Sequence, residues 1–211
     1  MPTPADARTE ARARTSWAGV PVADRRAERR TLLLDAAFDL LGTEGWSGTT
    51  VRAVCQRARL NPRYFYESFD DLDALAVAVY DRVVEELQAE VAAAHAAAGP
   101  NPKARARAGI ERIIGFVDED RRRARILYVE ALGNEALNRR RIETGYSVVT
   151  LVEQGEQIGR IAAAVFVGGL SELLMAWVDG RIEVSREQLT DDVTELFAGL
   201  GAAARRIAAD R

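Results

Sequence analysis

The side chains best equipped for chemistry in this sequence are cationic and phenolic, and they cluster. Arg52, Arg59, Arg63, Tyr64 and Tyr66 share one short stretch, with Thr49 and Thr50 just before it and Arg29 upstream. Guanidinium and hydroxyl groups donate to phosphate oxygens. Arginine also bonds guanine O6 and N7 together, for about 1–3 kcal/mol of discrimination between bases. Groups for making and breaking bonds are scarce. The single histidine, His95, stands in an alanine run beside no second ligand. The single cysteine, Cys55, falls on the apolar face of an expected helix and reads as a small buried hydrophobe. Cys/His metal spacing, a P-loop, G-x-G-x-x-G and G-x-S-x-G are all missing from the sequence. Asp118-Glu119-Asp120 is explained as the acidic start of a helix. The expectation is recognition chemistry, with no catalytic residue, no metal and no cofactor.

Two short helices joined by a tight turn would position the cluster. The first runs from about Thr50 to Ala58, with Val51, Val54, Cys55 and Ala58 on one face. The second starts at Asn61, a strong N-cap, followed by Pro62, whose missing N–H costs nothing at the first helical position. Phe65 and Phe69 share the inward face, which leaves Arg63, Tyr64 and Tyr66 outward. That is what a helix-turn-helix presents to a DNA major groove. An ordinary helical hairpin with surface tyrosines fits the periodicity equally well. A helix from about Asp24 to Leu41 precedes the pair, with Leu34, Ala37, Phe38 and Leu41 on one face. Arg25, Arg26, Arg29 and Arg30 crowd its first turns, where the dipole disfavours cations and a nearby anion would relieve them. Gly42 and Gly45 end it, and Trp46 plugs the small core.

Charge distribution agrees with a one-ended contact to a polyanion. Residues 1–66 hold 11 Arg against 7 Asp/Glu, while residues 67–211 hold 18 Lys/Arg against 25 Asp/Glu. The net charge is only −3, and 48% of residues are apolar, enough for a sizeable core. One cysteine leaves no disulfide framework, as in a reducing compartment. Residues 1–20 lack the apolar centre of a signal peptide. No apolar stretch is read as reaching the roughly 18–20 residues that span a membrane. A cytoplasmic protein with no membrane partner is expected.

The rest of the chain reads as helical. Leu72 to Val91 keep helical spacing, up to the break at Gly99-Pro100-Asn101-Pro102. Helices follow over about Ala104 to Asp118, Arg121 to Leu132, Glu135 to Gln154, Ile161 to Val178 and Ser185 to Ala209. Ser185 with Gln188 fits a capping box at the last start. The 161–178 helix is apolar nearly all round, so it needs cover on all sides. Gly168 and Gly169 inside it cost roughly 1 kcal/mol each relative to alanine and let another backbone approach. The last two helices are therefore expected to pair with their copies through Gly168, Gly169, Leu173, Leu189, Val193, Leu196, Phe197 and Leu200. Phe116, Tyr128, Tyr146, Phe166, Met175 and Trp177 are candidates to line a ligand pocket, and each is also readable as plain core. Glu130 lies in an apolar stretch. Buried, its carboxylate needs a partner, either Arg140, Arg141 or a cationic ligand; a surface-facing Glu130 is the simpler alternative.

This order of elements, with Gly45-Trp46-Ser47-Gly48-Thr49-Thr50-Val51-Arg52, Phe65-Tyr66-Glu67-Ser68-Phe69 and Leu72-Asp73-Ala74-Leu75, resembles the TetR family of transcriptional regulators. The resemblance is specific over about residues 28–80, and Ala176-Trp177-Val178-Asp179-Gly180 also looks like the family. It implies an all-α fold: a three-helix, homeodomain-like helix-turn-helix domain over 24–70 and a helical ligand-binding and dimerisation domain over 71–211. A disordered, arginine-bearing arm over 1–23 would precede them. It further implies a homodimer on palindromic double-stranded DNA, released when a small apolar or amphipathic effector fills a pocket in each body. By matching positions, Thr49 and Thr50 would lie near a phosphate, Arg63 and Tyr64 would face bases, and Tyr66 would contact phosphate. The sequence departs from the family at Arg59, where the turn usually has glycine, at Glu67 and Ser68, and at Leu72, often lysine. Glu67 and Leu72 keep open a small-molecule-binding or scaffold protein that has lost DNA contact. An activator rather than a repressor is the third alternative.

Overall fold

The computed structural model describes residues 22–156 and 158–210. Among them every regular element is helical. The elements are α1 (Val22–Thr43), the single turn α2 (Gly45–Gly48), α3 (Val51–Ala58), α4 (Pro62–Tyr66), α5 (Leu72–Ala97) and α6 (Pro102–Glu119). Then come α7 (Arg121–Ala124), a π-helical stretch (Arg125–Glu130), α8 (Ala131–Gly133), α9 (Glu135–Glu156), α10 (Arg160–Val178) and α11 (Arg186–Ala209). The arm expected over 1–23 lies outside the described residues up to position 21, and Val22 and Ala23 open α1 instead.

Local chemistry explains most boundaries. Thr50 accepts from the Ala53 N–H, Asn61 from that of Arg63, Asp71 from that of Ala74 and Asn101 from that of Ala104. Ser185 does the same for Gln188. Each such cap stabilises its helix by about 1 kcal/mol. The run expected as one helix from Arg121 to Leu132 is broken. A π-helical stretch replaces its middle, the kind of irregularity that gathers at functional places.

In the N-terminal unit, α1 lies across α3 and against α5. Leu33, Ala36, Ala37, Leu40 and Leu41 of α1 meet Val54, Cys55, Phe65 and Phe69 there. The buried stripe of α1 is thus wider than expected and turned, because α3, α5 and α7 all cover it. Leu34 and Phe38 are only half-buried. Phe38 carries the guanidinium of Arg122 over its ring at 4.8 Å. The core continues without a break through Leu75, Val79 and Val83 of α5 into the body, where α6 packs between α5 and α11.

The last two helices differ from expectation in one way. Leu189, Val193 and Phe197 point into the chain's own core, with the Phe197 ring 4.3 Å from that of Phe166. These three cannot reach a second copy; α6 and α10 need that face. The residues left uncovered are Gly168, Gly169 and Leu196, with Leu173 and Leu200 half-buried. Ile161, Val165 and Ile207 join them, at 76%, 59% and 57% exposed. The expectation that no stretch has membrane-spanning length and composition is also corrected. The α10 helix is 19 residues long with a mean hydropathy of 1.9.

Candidate functional site

The start of α4 stands out to solvent. Arg63 is exposed and Tyr66 is 63% exposed, with Asn61 and Pro62 beside them. Arg52 and Arg59 are exposed as well, and neither makes an ion pair among the described residues. Thr50 is exposed, with its hydroxyl engaged by the Ala53 N–H at 3.1 Å. Thr49 is a correction: it is 3% exposed and its hydroxyl donates to Gly45 O at 2.7 Å. It ties the α2 turn together from inside and cannot touch a phosphate.

The arginines at the start of α1 have partners within the chain. Arg26 donates to Glu67 O at 2.5 Å and Arg30 to Ser68 O at 3.0 Å. Those carbonyls close the C-terminal end of α4, where cations are favourable. The anion that would relieve this cluster is thus in part the dipole end of a neighbouring helix. Arg29 is half-buried, stacked 4.4 Å over the Tyr64 ring and 3.7 Å from the Glu67 carboxylate. Glu67 also takes Arg63 Nε at 3.0 Å. Its negative charge is therefore matched within the tip, and Tyr64 is held half-buried beneath Arg29.

A second cluster joins this unit to the body. Glu130 is 8% exposed and accepts the Trp46 backbone N–H at 2.6 Å through one oxygen and Arg125 Nε at 2.6 Å through the other. Arg125 reaches on to Thr43 O at 2.8 Å. Gly45, at φ 78°, sits where a Cβ would meet Arg125 and both Glu130 oxygens. Arg122 ion-pairs with Asp39 of α1 at 2.6 Å and with Asp120 at 2.7 Å. The Arg122 guanidinium holds the Asp120 carboxyl below the usual carboxylate range. Glu130 thus has neither of the partners expected, Arg140 or Arg141, and does not face a ligand.

The body has a half-open cavity of about 460 Å³ between α5, the π-helical stretch, α9 and α10, a size typical of small-molecule sites. Tyr128, Tyr146 and Phe166 line it, with Tyr146 exposed at its mouth. Four candidates lie elsewhere. Phe116 is fully buried with the Arg123 guanidinium 4.0 Å from its ring centre, and Glu130 is at the junction. Met175 borders a separate cleft with Arg122, Arg125 and Gly42. The Trp177 indole donates to Val184 O at 2.9 Å, which pins the loop before α11. The residues missed are Tyr80 of α5 and Arg141 and Thr144 of α9. Burial pushes the Tyr80 phenol up, against the opposing pull of Thr144 and Arg141, and burial pushes Tyr128 up strongly. A polar residue recurring on an otherwise apolar helix face was the available signal for Arg141 and Thr144.

Residues 33–79 match the sequence model for bacterial regulatory proteins of the tetR family. The match runs from α1 through the two helices of the turn motif into α5, so this N-terminal unit is similar to that family. Over 89 residues it is 37% identical to the HTH-type transcriptional regulator BetI of Burkholderia thailandensis, across 42% of this chain and 46% of that protein. The chain spans about half the length of the curated relatives it matches. Solved structures share the fold over more of it. A transcriptional regulator from Rhodococcus sp. Rha1 superposes with a TM-score of 0.68 at 20% identity, covering 81% of this chain and 95% of that one. The multidrug binding protein EbrR, complexed with imidazole, gives 0.63 at 24% identity over 80% and 94%.

The residue that closes the turn between α3 and α4 is conformationally unusual. Arg59 holds the left-handed conformation at φ 55° and ψ 39°, alone among the described non-glycine residues. A side chain there costs about 1–2 kcal/mol, part of which glycine gives back through its freer unfolded state. Arg59→Gly is expected to raise stability by about 0.5–1 kcal/mol in chemical denaturation. No gain would mean the side chain makes compensating contacts.

Proposed function

We propose that this chain is a ligand-responsive repressor of the TetR family. It binds a palindromic operator as a homodimer and leaves it when a small apolar or amphipathic molecule fills the body cavity. The observation that carries this reading is the α4 tip. There an N-capped helix start presents Arg63 and Tyr66 to solvent, beside Arg52 and Arg59, which make no ion pair among the described residues. A helix so arranged enters a major groove with its N-terminal residues on base edges. Arg63 is the base reader; Arg52, Arg59 and Tyr66 hold phosphates. Pairing of Glu67 with Arg63 and Arg29 answers the main objection to DNA contact, since the Glu67 charge is matched within the tip. The uncovered apolar residues of α10 and α11 support the dimer. The cavity supports the effector, as does the likeness to a multidrug binding protein.

Release is a shift between populations. The effector favours a dimer whose two tips no longer match half-sites about 34–36 Å apart. Fluorescence anisotropy with DNA from upstream of the gene tests the reading. Arg63→Ala is expected to cost about 1–3 kcal/mol and to relax discrimination at one base position. Arg52→Ala is expected to weaken all sequences alike and reduce the salt slope by about 1. No binding by the native chain to any fragment of that DNA would leave the scaffold alternative standing.

A further inference from the structure

We propose that the body cavity takes a monoanionic amphiphile, a carboxylate head on a flexible apolar tail, with Arg141 as the group that binds the head. This rests on the reading of the cavity as the effector site and adds the chemistry of its occupant. Three consecutive arginines open α9. Arg139 pairs with Glu135 at 3.2 Å and Arg140 with Asp81 at 2.6 Å. Arg141, which turns into the cavity, has no carboxylate partner among the described residues. Its one side-chain hydrogen bond runs from Nη2 to the neutral amide oxygen of Asn138 at 3.2 Å, and its Nε is buried with no acceptor.

A guanidinium taken partly out of water and left without an anion is costly, and an anion placed there recovers that cost. The groups around it are suited to a carboxylate. Tyr80 is buried beside Arg141 and Thr144, and Tyr128 lies next to Tyr80. Both phenols are protonated at neutral pH, as phenols ordinarily are, and so can donate. Donors therefore gather at one end of the cavity. Leu87, Ile113, Val149, Val152, Phe166 and Leu170 also line the cavity and give a tail mostly apolar surface, with Gln88 and Ser171 among them. Glu172 also borders the cavity, but it is exposed, so water screens it. A cation would meet the guanidinium at the donor end, and a neutral hydrocarbon would leave it unmatched.

Calorimetric titration of the full chain, without DNA, with decanoate, decanol and decyltrimethylammonium below their micellar concentrations is the test. Decanoate is expected to bind most tightly, decanol at least about tenfold more weakly, and the ammonium compound not measurably. Arg141→Gln is expected to weaken decanoate about ten- to hundredfold, the range of charge-assisted hydrogen bonds, and to leave decanol unchanged. Arg141→Lys, which keeps the charge, should retain a preference for decanoate over decanol. If Arg141→Gln fails to fold by circular dichroism, the lysine variant and the selectivity of the native chain decide. Equal decanoate affinity in the native and glutamine forms, an ammonium compound binding as well as decanoate, or no amphiphile binding would each overturn the proposal. Operator release is scored separately by anisotropy. Arg141-dependent decanoate binding with no release keeps the anion site and removes the effector role. Operator binding with no decanoate binding keeps the DNA-binding reading and removes the anion site.

Discussion

Glu130→Ala is expected to lower the unfolding free energy by about 2–3 kcal/mol and the melting temperature by roughly 5–10 °C for a chain of this size. Glu130 is almost fully buried, and both of its oxygens are used. One holds the backbone N–H of Trp46, 84 residues away, at the start of the α2 turn. Alanine leaves that N–H without its acceptor and Arg125 without its carboxylate. Breaking a buried pair by removing one member costs about 3–5 kcal/mol, but Arg125 is 38% exposed and recovers part of its loss in water. Glu130→Gln keeps an acceptor for Trp46 and should lose less. The junction has a second consequence under the proposed release mechanism. Leu127 and Tyr128 line the cavity from the same π-helical stretch whose ends, Arg125 and Glu130, grip Thr43 and Trp46. In Glu130→Ala, effector binding should persist while operator release becomes less complete. Differential scanning calorimetry and anisotropy with and without effector separate the two effects. A variant as stable as the native chain would mean that the junction holds nothing together.

What could be read from the chain before its structure was whatever depends on near neighbours. Thr50, Asn61-Pro62, Asp71 and Ser185 announce helix starts because a cap and the N–H it serves lie within three residues of each other. The all-α class followed from the same local periodicity. Failures came where a residue's role is set by something distant. Thr49 and Thr50 are chemically alike, and only the packing of α2 decides that Thr49 turns inward. A surface-facing Glu130 was the simpler expectation, yet it is buried, and nothing local pointed to a backbone N–H in another unit as its partner. The arginines of α1 looked unmatched because the carbonyls they serve lie some forty residues later, at Glu67 and Ser68. Arg141 was expected, with Arg140, as a partner for a buried Glu130, and only tertiary packing sends it to the cavity instead. Apolar periodicity on α11 identified a face without saying what covers it, so residues of the chain's own core were assigned to a partner.

That last distinction yields a contrast with a large expected effect. Val165→Glu combined with Leu196→Glu should turn the proposed dimer into a monomer and reduce operator affinity by about a hundredfold to ten-thousandfold, the scale lost when two linked contacts become one. Both side chains stand clear of their own chain, at 59% and 69% exposed, so an isolated subunit pays little for the change. In the dimer each substitution occurs twice, and every new carboxylate would be desolvated without a cation opposite it. Val193→Glu makes the opposite comparison. Val193 lies one turn from Phe197 and is 3% exposed, packed into the subunit itself. A carboxylate there has to enter the core, so unfolding rather than dissociation is expected. Light scattering read beside far-UV circular dichroism distinguishes the outcomes: a folded monomer for the exposed pair, lost helicity for Val193. A folded dimer of native mass with Glu at 165 and 196 would exclude this face of α10 and α11 as the place where two copies meet. The spacing of the two α4 tips would then have to be set by some other surface.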